Sequence, residues 1–226
     1  IGKKRYYFDM DGILQTGTVI IDKKTYELDT DGSLKDYTPK KKSSKKKSSG
    51  KSDTSDKSGT STAKKSVALT FDDGPSSFTD RLLDCLEENN AKATFFMVGT
   101  EIASFPDEVK RMKKLGCELG NHTYDHKDLA TLSSDEISSE IARVDEQLVN
   151  LTGEGASVVR PPYGSVNDTV KSTVGTPMIL WSIDTLDWKT QDVESTVEEV
   201  MNNVKDGSII LMHDIFSTSV AVSYTH

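Results

Sequence analysis

Two neighbouring carboxylates, Asp72 and Asp73, end the apolar run 67–71 and are followed at once by Gly74-Pro75. Like charges side by side oppose each other's ionisation, so a compensating cation is expected beside them. The chain holds four histidines; His122 and His126 stand in the stretch GNHTYDH at 120–126, His213 closes the run 208–213, and His226 is the last residue. A His-x-x-x-His spacing carries little by itself, but it brings two imidazoles to one ion when the segment turns helically. Two imidazoles and one carboxylate make a three-ligand set for Zn2+ with a fourth position open for water. The same set accepts Co2+ or Ni2+. The aspartate pair supplies that carboxylate and leaves one over, and a spare carboxylate beside a metal site is what a hydrolase needs as a base.

These residues require elements to hold them. From residue 67 onward, short apolar runs alternate with amphipathic stretches. Strands are expected at 67–71, 93–98, 117–120, 157–160, 178–183 and 208–212, and helices at 77–90, 104–115, 133–151, 165–173 and 193–205. Ser133 and Glu136 have the spacing of a capping box for the third helix. Such alternation implies an α/β fold, either a parallel sheet or a (β/α) barrel. In both, ligand groups gather at the C-terminal ends of strands. The polar clusters obey that rule: Asp72-Asp73 follow the first strand and GNHTYDH the third. RPPYG at 160–164 follows the fourth, DTLDW at 184–188 the fifth, and His213 closes the sixth.

Five clusters thus stand in order: TFDDGP at 70–75, HTYDH at 122–126, RPPYG at 160–164, DTLDW at 184–188 and LMH at 211–213. On these motifs the chain from Ser66 onward resembles the polysaccharide deacetylases of the NodB-homology type, carbohydrate esterase family 4. The resemblance implies an α/β fold, specifically a distorted (β/α) barrel, that removes N-acetyl groups from a polysaccharide with a divalent metal, Zn2+ first. It further implies that Asp72 is the catalytic base and that Asp73, His122 and His126 bind the metal. Arg160 would pair with and orient Asp72, keeping it ionised, while the Tyr163 N–H helps to hold the oxyanion. Asp187 would tune His213, the general acid, and Trp188 with Leu211 would line a pocket for the acetyl methyl. The Pro161-Pro162 pair reads as a rigid turn presenting the neighbouring amides. Asp184 reads equally as a structural or a functional residue.

The remainder of the chain differs in character. Residues 1–39 are nearly charge-balanced, residues 40–66 hold ten lysines, nine serines and two acids, and residues 67–226 hold 27 acidic against 12 basic side chains. The acidic third segment argues against a nucleic-acid substrate. Segment 40–66 has one apolar residue, Ala63, and reads as a self-repelling disordered linker. Before it, 1–14 and 21–34 repeat at a period of 20 with eight identities, including Tyr6/Tyr26, Asp9/Asp29, Asp11/Asp31 and Gly12/Gly32. Aromatic strands ending in Asp-x-Asp-Gly read as β-hairpins with the glycine at a turn. They resemble the choline- or glucan-binding repeats of secreted bacterial proteins. That resemblance implies an extracellular or cell-wall-associated protein acting on peptidoglycan, with N-acetylglucosamine as the first choice. Chitin-like oligosaccharides and acetylated xylan follow, and a non-catalytic glycan-binding protein is the alternative from another class.

The stretch YYFDMDGIL at 6–14 also resembles the nucleophile strand of haloacid dehalogenase phosphatases, but a unique nucleophile Asp9 would not recur 20 residues later. No apolar run approaches the length of a membrane-spanning helix. Cys85 and Cys117 are expected as buried free thiols, with a single disulfide as the alternative. Only 13 residues follow His213, so the family's final helix and strand are expected to be missing, leaving an open sheet edge and an uncovered core face.

Overall fold

The computed structural model describes residues 17–21, 24–30, 35 and 65–225. The first repeat copy, Gly12, Gly32 and linker residues 40–64 lie outside the described residues. The chain divides into two units, Ile1–Lys64 and Lys65–His226. In the first, β1 (Gly17–Ile21) and β2 (Lys24–Leu28) pair antiparallel, from Gly17 opposite Leu28 to Ile21 opposite Lys24. The β-branched run Thr18 to Ile21 suits a pleated strand. The hairpin joins the end of one 20-residue period to the start of the next, and Asp29 and Thr30 follow β2.

The second unit is built on six parallel strands, β3 (Ala68–Asp72), β4 (Thr94–Met97), β5 (Glu118–Asn121), β6 (Val158–Val159), β7 (Ile183–Asp184) and β8 (Ile209–His213). Their spatial order is β6-β5-β4-β3-β8-β7. The helices are α1 (Thr79–Glu88), α2 (Gly99–Ser104), α3 (Pro106–Leu115), α4 (Ser134–Thr152), α5 (Asp168–Thr173), α6 (Asp187–Thr190), α7 (Val193–Asn203) and α8 (Ser217–Thr225). The central strand β3 places Asp72 opposite Phe96 on one side and opposite His213 on the other. That register alone brings two of the five polar clusters to one level.

Three boundaries differ from the sequence-based expectation, each for a local reason. The helix expected at 104–115 starts two residues later, as α3, with Pro106, whose fixed φ and missing N–H suit a first turn, and a separate short helix that was not expected, α2, ends before it at Ser104. The strand expected at 178–183 changes partner along its length. Its first part pairs with β6, through Val159 N–H to Pro177 O and Ile179 N–H to Val159 O, both 2.9 Å. Its second part contains β7 and pairs with β8. One segment therefore links both ends of the sheet, which rolls into a distorted barrel rather than presenting an open edge. The last residues form α8, which packs on α1 and α7 and buries Val220. The core face expected to be bare is partly covered, and an apolar groove of about 360 Å3 remains, lined by Leu69, Leu86, Val197, Val200 and Ile210 among others.

The core joins strand and helix residues that the periodicity singled out. Phe71 stacks on Phe95 at 5.5 Å between ring centroids, and Leu82, Met97, Met112, Val144, Leu148 and Ile210 close around them. Helix α4 carries the expected capping box: the Ser133 N–H donates to Glu136 Oε2 at 2.9 Å, and the Glu136 N–H donates to Ser133 Oγ. Cys85 and Cys117 form no disulfide with each other and are buried, and burial pushes both thiols up. No helix among the described residues is long and apolar enough to cross a membrane.

Just past β8, Asp214 is fully buried and hydrogen-bonds Thr79 Oγ1 at 2.5 Å, tying the end of β8 to the start of α1. A side chain at Gly74 would run into this carboxylate, so the chain after Asp73 needs glycine here. Burial pushes the Asp214 carboxyl up to about 7. Between pH ~4 and 7 the folded chain then binds more protons here than the unfolded one. Its contribution to stability therefore falls as pH rises through that window, by at most about 1.4 kcal/mol per unit, and is level above it. Urea denaturation of the metal-free chain at pH 4–8 checks this. Asp214→Asn should gain stability relative to the unsubstituted chain as pH climbs from 4 to 7, and a pH-independent difference would refute the assignment.

Candidate active site

The C-terminal strand ends surround a cavity of about 400 Å3 whose lining includes Asp72, Asp73, His122, His126 and His213. Asp72 is the last residue of β3, His213 the last of β8, and His122 follows β5 directly, its N–H donating to Met97 O at 2.9 Å. The backbone here is unusual. Of the seven described non-glycine residues with positive φ, five belong to this region: Asp73, Thr123, His126, Tyr163 and Leu186. Each costs on the order of 1–3 kcal/mol, and such conformations persist only where the surroundings impose them.

Asp73, His122 and His126 present one ligand atom each, all within 4.8 Å of one another. Asp73 Oδ1 lies 3.4 Å from His122 Nε2 and 3.3 Å from His126 Nε2. Ligands held 2.0–2.2 Å from a tetrahedral ion stand roughly 3.3–3.6 Å apart, so the spacing fits a cation between them. Asp73 Oδ1 is also buried with no hydrogen-bond donor, an arrangement costly without a positive charge. His122 Nδ1 lies 2.6 Å from the Arg160 carbonyl oxygen. A proton on Nδ1 donated there leaves the Nε2 lone pair facing the cavity, as a metal ligand requires. Burial pulls the Asp73 carboxyl upward, but the three surrounding imidazoles outweigh it and hold this group below the ordinary range. Burial and the neighbouring His122 together keep His126 below the usual imidazole value, favouring the neutral, ligating form.

Beside this trio, Asp72 is paired with Arg160, whose Nη1 donates to Asp72 Oδ1 at 2.7 Å. The guanidinium is fully buried and also donates to Thr70 Oγ1, Ile179 O and Leu180 O, while it lies 4.0 Å over the Phe96 ring. Arg160 was expected to hold Asp72 ionised. It does pull the Asp72 carboxyl down, as do His122 and His213, but burial is the larger influence and leaves the group above its ordinary value in the metal-free chain.

His213 faces the same cavity, with Nε2 3.9 Å from Asp73 Oδ2. Its Nδ1 lies 2.7 Å from Asp187 Oδ1, and Asp187 accepts three further donors: the His213 N–H, the Trp188 N–H and the Ser219 hydroxyl. Burial would lower the His213 pKa, but the Asp187 hydrogen bond and charge, with Asp73 and Asp72 behind, outweigh it and hold the imidazole above its usual value. Trp188, half-exposed on α6, and buried Leu211 line the cavity. Tyr163 stands at its rim with its ring edge against His126 at 4.9 Å. All ten residues expected at the site are thus drawn to it. Asp184 resolves as a brace: its Oδ1 accepts the Leu186 N–H at 3.0 Å and the Trp188 indole N–H at 3.3 Å.

Sequence reasoning missed Trp181, which lines the cavity, and Ser219 and Thr70, which complete the Asp187 and Arg160 networks. Trp181 lay inside a run read as one buried strand. Thr70 and Ser219 carry no signal beyond a hydroxyl in an apolar stretch.

Comparison with known proteins identifies the family. Residues 59–176 match the family model described as polysaccharide deacetylase. The chain is 42% identical over 158 residues to the peptidoglycan-N-acetylglucosamine deacetylase PgdA of Listeria monocytogenes, covering 70% of this chain and 34% of that protein. It is 40% identical over 157 residues to the peptidoglycan-N-acetylmuramic acid deacetylase PdaC of Bacillus subtilis, covering 69% and 34%. The solved structure of PdaC superposes with a TM-score of 0.69 at 39% identity, over 70% of this chain and 79% of that one. The chain thus spans about a third of the length of these curated relatives. With the family model matching more than half of its residues, and five clusters converging on one cavity, the chain belongs to the polysaccharide deacetylase family.

Proposed function

We propose that the chain is a metal-dependent N-deacetylase of cell-wall polysaccharide, acting first on N-acetylglucosamine of peptidoglycan. The carrying observation is the Asp73–His122–His126 trio set between the Asp72–Arg160 pair and the Asp187-held His213. The trio suits Zn2+, with Co2+ and Ni2+ as alternatives. When bound, the metal supplies Lewis-acid polarisation of the acetyl carbonyl and acidifies water.

The side chains divide the remaining work. Asp72 has Oδ1 tied to Arg160, so Oδ2, 3.7 Å from His122 Nε2, is the oxygen that accepts the proton of the attacking water. His213 has Nδ1 tied to Asp187, so Nε2 carries the proton given to the departing amine as the C–N bond breaks and acetate forms. A positioned base and acid contribute roughly 100- to 10,000-fold each. The Tyr163 N–H is assigned to the developing oxyanion, and Trp188 with Leu211 to the acetyl methyl.

The repeats at 1–39 and the linker at 40–66 are assigned as a cell-wall anchor and tether for the 67–226 domain, which places the protein outside the cell.

Acetate release from purified peptidoglycan is the direct test. It should require added Zn2+, stop with chelator and vanish in His122→Ala; chelator-resistant release would defeat the metal-dependent reading. Chitin oligosaccharides and acetylated xylan in parallel rank the alternatives, and preferential release from N-acetylmuramic acid would overturn N-acetylglucosamine as the first substrate. Asp72→Asn should lower kcat by at least about 100-fold with KM little changed, because it removes the base and not the metal ligands. A comparable rise in KM with kcat unchanged would instead remove Asp72 from that role.

A further inference from the structure

Helix α4 buries a stripe of four residues, Ile137, Glu140, Val144 and Leu148, at the spacing of one helix face. Three are apolar and the fourth is a carboxylate, only 4% exposed. A buried charge is expensive unless it is satisfied by partners, and the partners of Glu140 are specific. Its Oε2 accepts the Tyr124 N–H at 2.9 Å and the Asp125 N–H at 3.1 Å, and its Oε1 lies 3.3 Å from Lys127 Nζ. Tyr124 and Asp125 sit in the loop between His122 and His126.

The rest of that loop is held as completely. The Thr123 N–H donates to Asn121 Oδ1, while the carbonyls of Thr123 and Tyr124 accept the N–H groups of Gly99 and Thr100. Asn121 itself donates to Ile141 O on α4. The Arg143 guanidinium, also on α4, lies 3.2 Å over the Tyr124 ring. Thr123 and His126 take positive φ, at 70° and 58°, which the free chain would avoid. The hydrogen bonds of the loop offset that backbone cost and keep His126 beside Asp73.

We propose that Glu140 is a positioning residue for the metal centre: by accepting two consecutive loop N–H groups, it presets His126 for metal before any ion arrives. The inference rests on the reading of Asp73, His122 and His126 as ligands. It goes beyond that reading by assigning a role to a residue that touches neither metal nor substrate. What Glu140 supplies is one acceptor oxygen at a set reach. Glutamine keeps that reach without the charge, whereas aspartate keeps the charge and withdraws the oxygen by one methylene.

The experiment is Zn2+ affinity by chelator competition on the full chain, with the visible spectrum of the Co2+-loaded protein as a second readout of ligand geometry. Residues that orient metal ligands typically change affinity 10- to 100-fold. Glu140→Asp should fall in that range with an altered Co2+ spectrum, and Glu140→Gln should stay within about threefold. The proposal is overturned if Glu140→Asp binds as tightly as the unsubstituted chain, or if Glu140→Gln loses as much as Glu140→Asp. Equal zinc binding by the unsubstituted chain and His122→Ala would instead overturn the ligand assignment itself, and this inference with it. Amide hydrogen exchange needs no variant. The Tyr124 and Asp125 amides should be protected in the metal-free chain, and free exchange until zinc is added would show that the ion, not Glu140, orders the loop.

Discussion

The buried ion pair of Arg160 with Asp72 is the constraint to which the rest of the site is fitted. The Arg160 side chain ties Asp72 and Thr70 of β3 to the carbonyls of Ile179 and Leu180, where the closing segment leaves β6 for β8. Its backbone does as much: the N–H donates to Asn121 O at the end of β5, and the carbonyl takes Nδ1 of His122. One residue thus fixes the proposed base, helps close the barrel and sets the tautomer of a proposed metal ligand. Burying both charges is costly, and removing one partner alone is costlier still. Lysine could not replace the planar fork, since a single ammonium on a flexible stem cannot meet four oxygens spread over two segments.

Three aspartates, one in this pair and two beside it, are given three different environments. Asp72 faces a guanidinium, Asp73 keeps an oxygen without any donor, and Asp187 is saturated by four donors. Separate environments assign separate roles to chemically identical groups. An oxygen with no donor is open to a cation. A saturated carboxylate, by contrast, can only orient and stabilise what it touches, here His213. The strained backbone serves the same division, because Asp73 and Asp72 are adjacent yet must face different partners, and the positive φ of Asp73 turns the chain between them.

Much of this was legible in the sequence. The strand ends could be read because apolar runs stop abruptly at polar clusters, and Asp72, Asp73 and His213 then follow from strand register. The split of 178–183 between two sheet neighbours was not legible, because it is decided by barrel closure, a tertiary event with no local signature. Helix α6 was equally hidden: four residues carry no periodicity, and its start depends on Leu186 taking a left-handed conformation braced by Asp184. Glu140 is the instructive middle case. A carboxylate interrupting an apolar stripe is visible in sequence, but it reads as an ordinary solvated acid until the loop amides that it meets are in view.

The residues after His213 carry the same lesson about distance along the chain. As a sequence they read as the place where the family pattern breaks off. In the fold they form α8, and Ser219 from that helix donates to Asp187 Oδ2, which on its other oxygen holds His213. Docking of α8 against α1 and α7 is therefore coupled to the orientation of His213 through two hydrogen bonds in series. The neighbouring Asp214 ties the same strand end to α1, close to Gly74 and the aspartate pair. Packing at the end of the chain and chemistry at its centre are in this way the same set of contacts. Loss of the helix would strip the Ser219 donor from Asp187 Oδ2 and leave that oxygen with the His213 N–H alone, and a hydrogen bond lost at a buried carboxylate is costly in its own right.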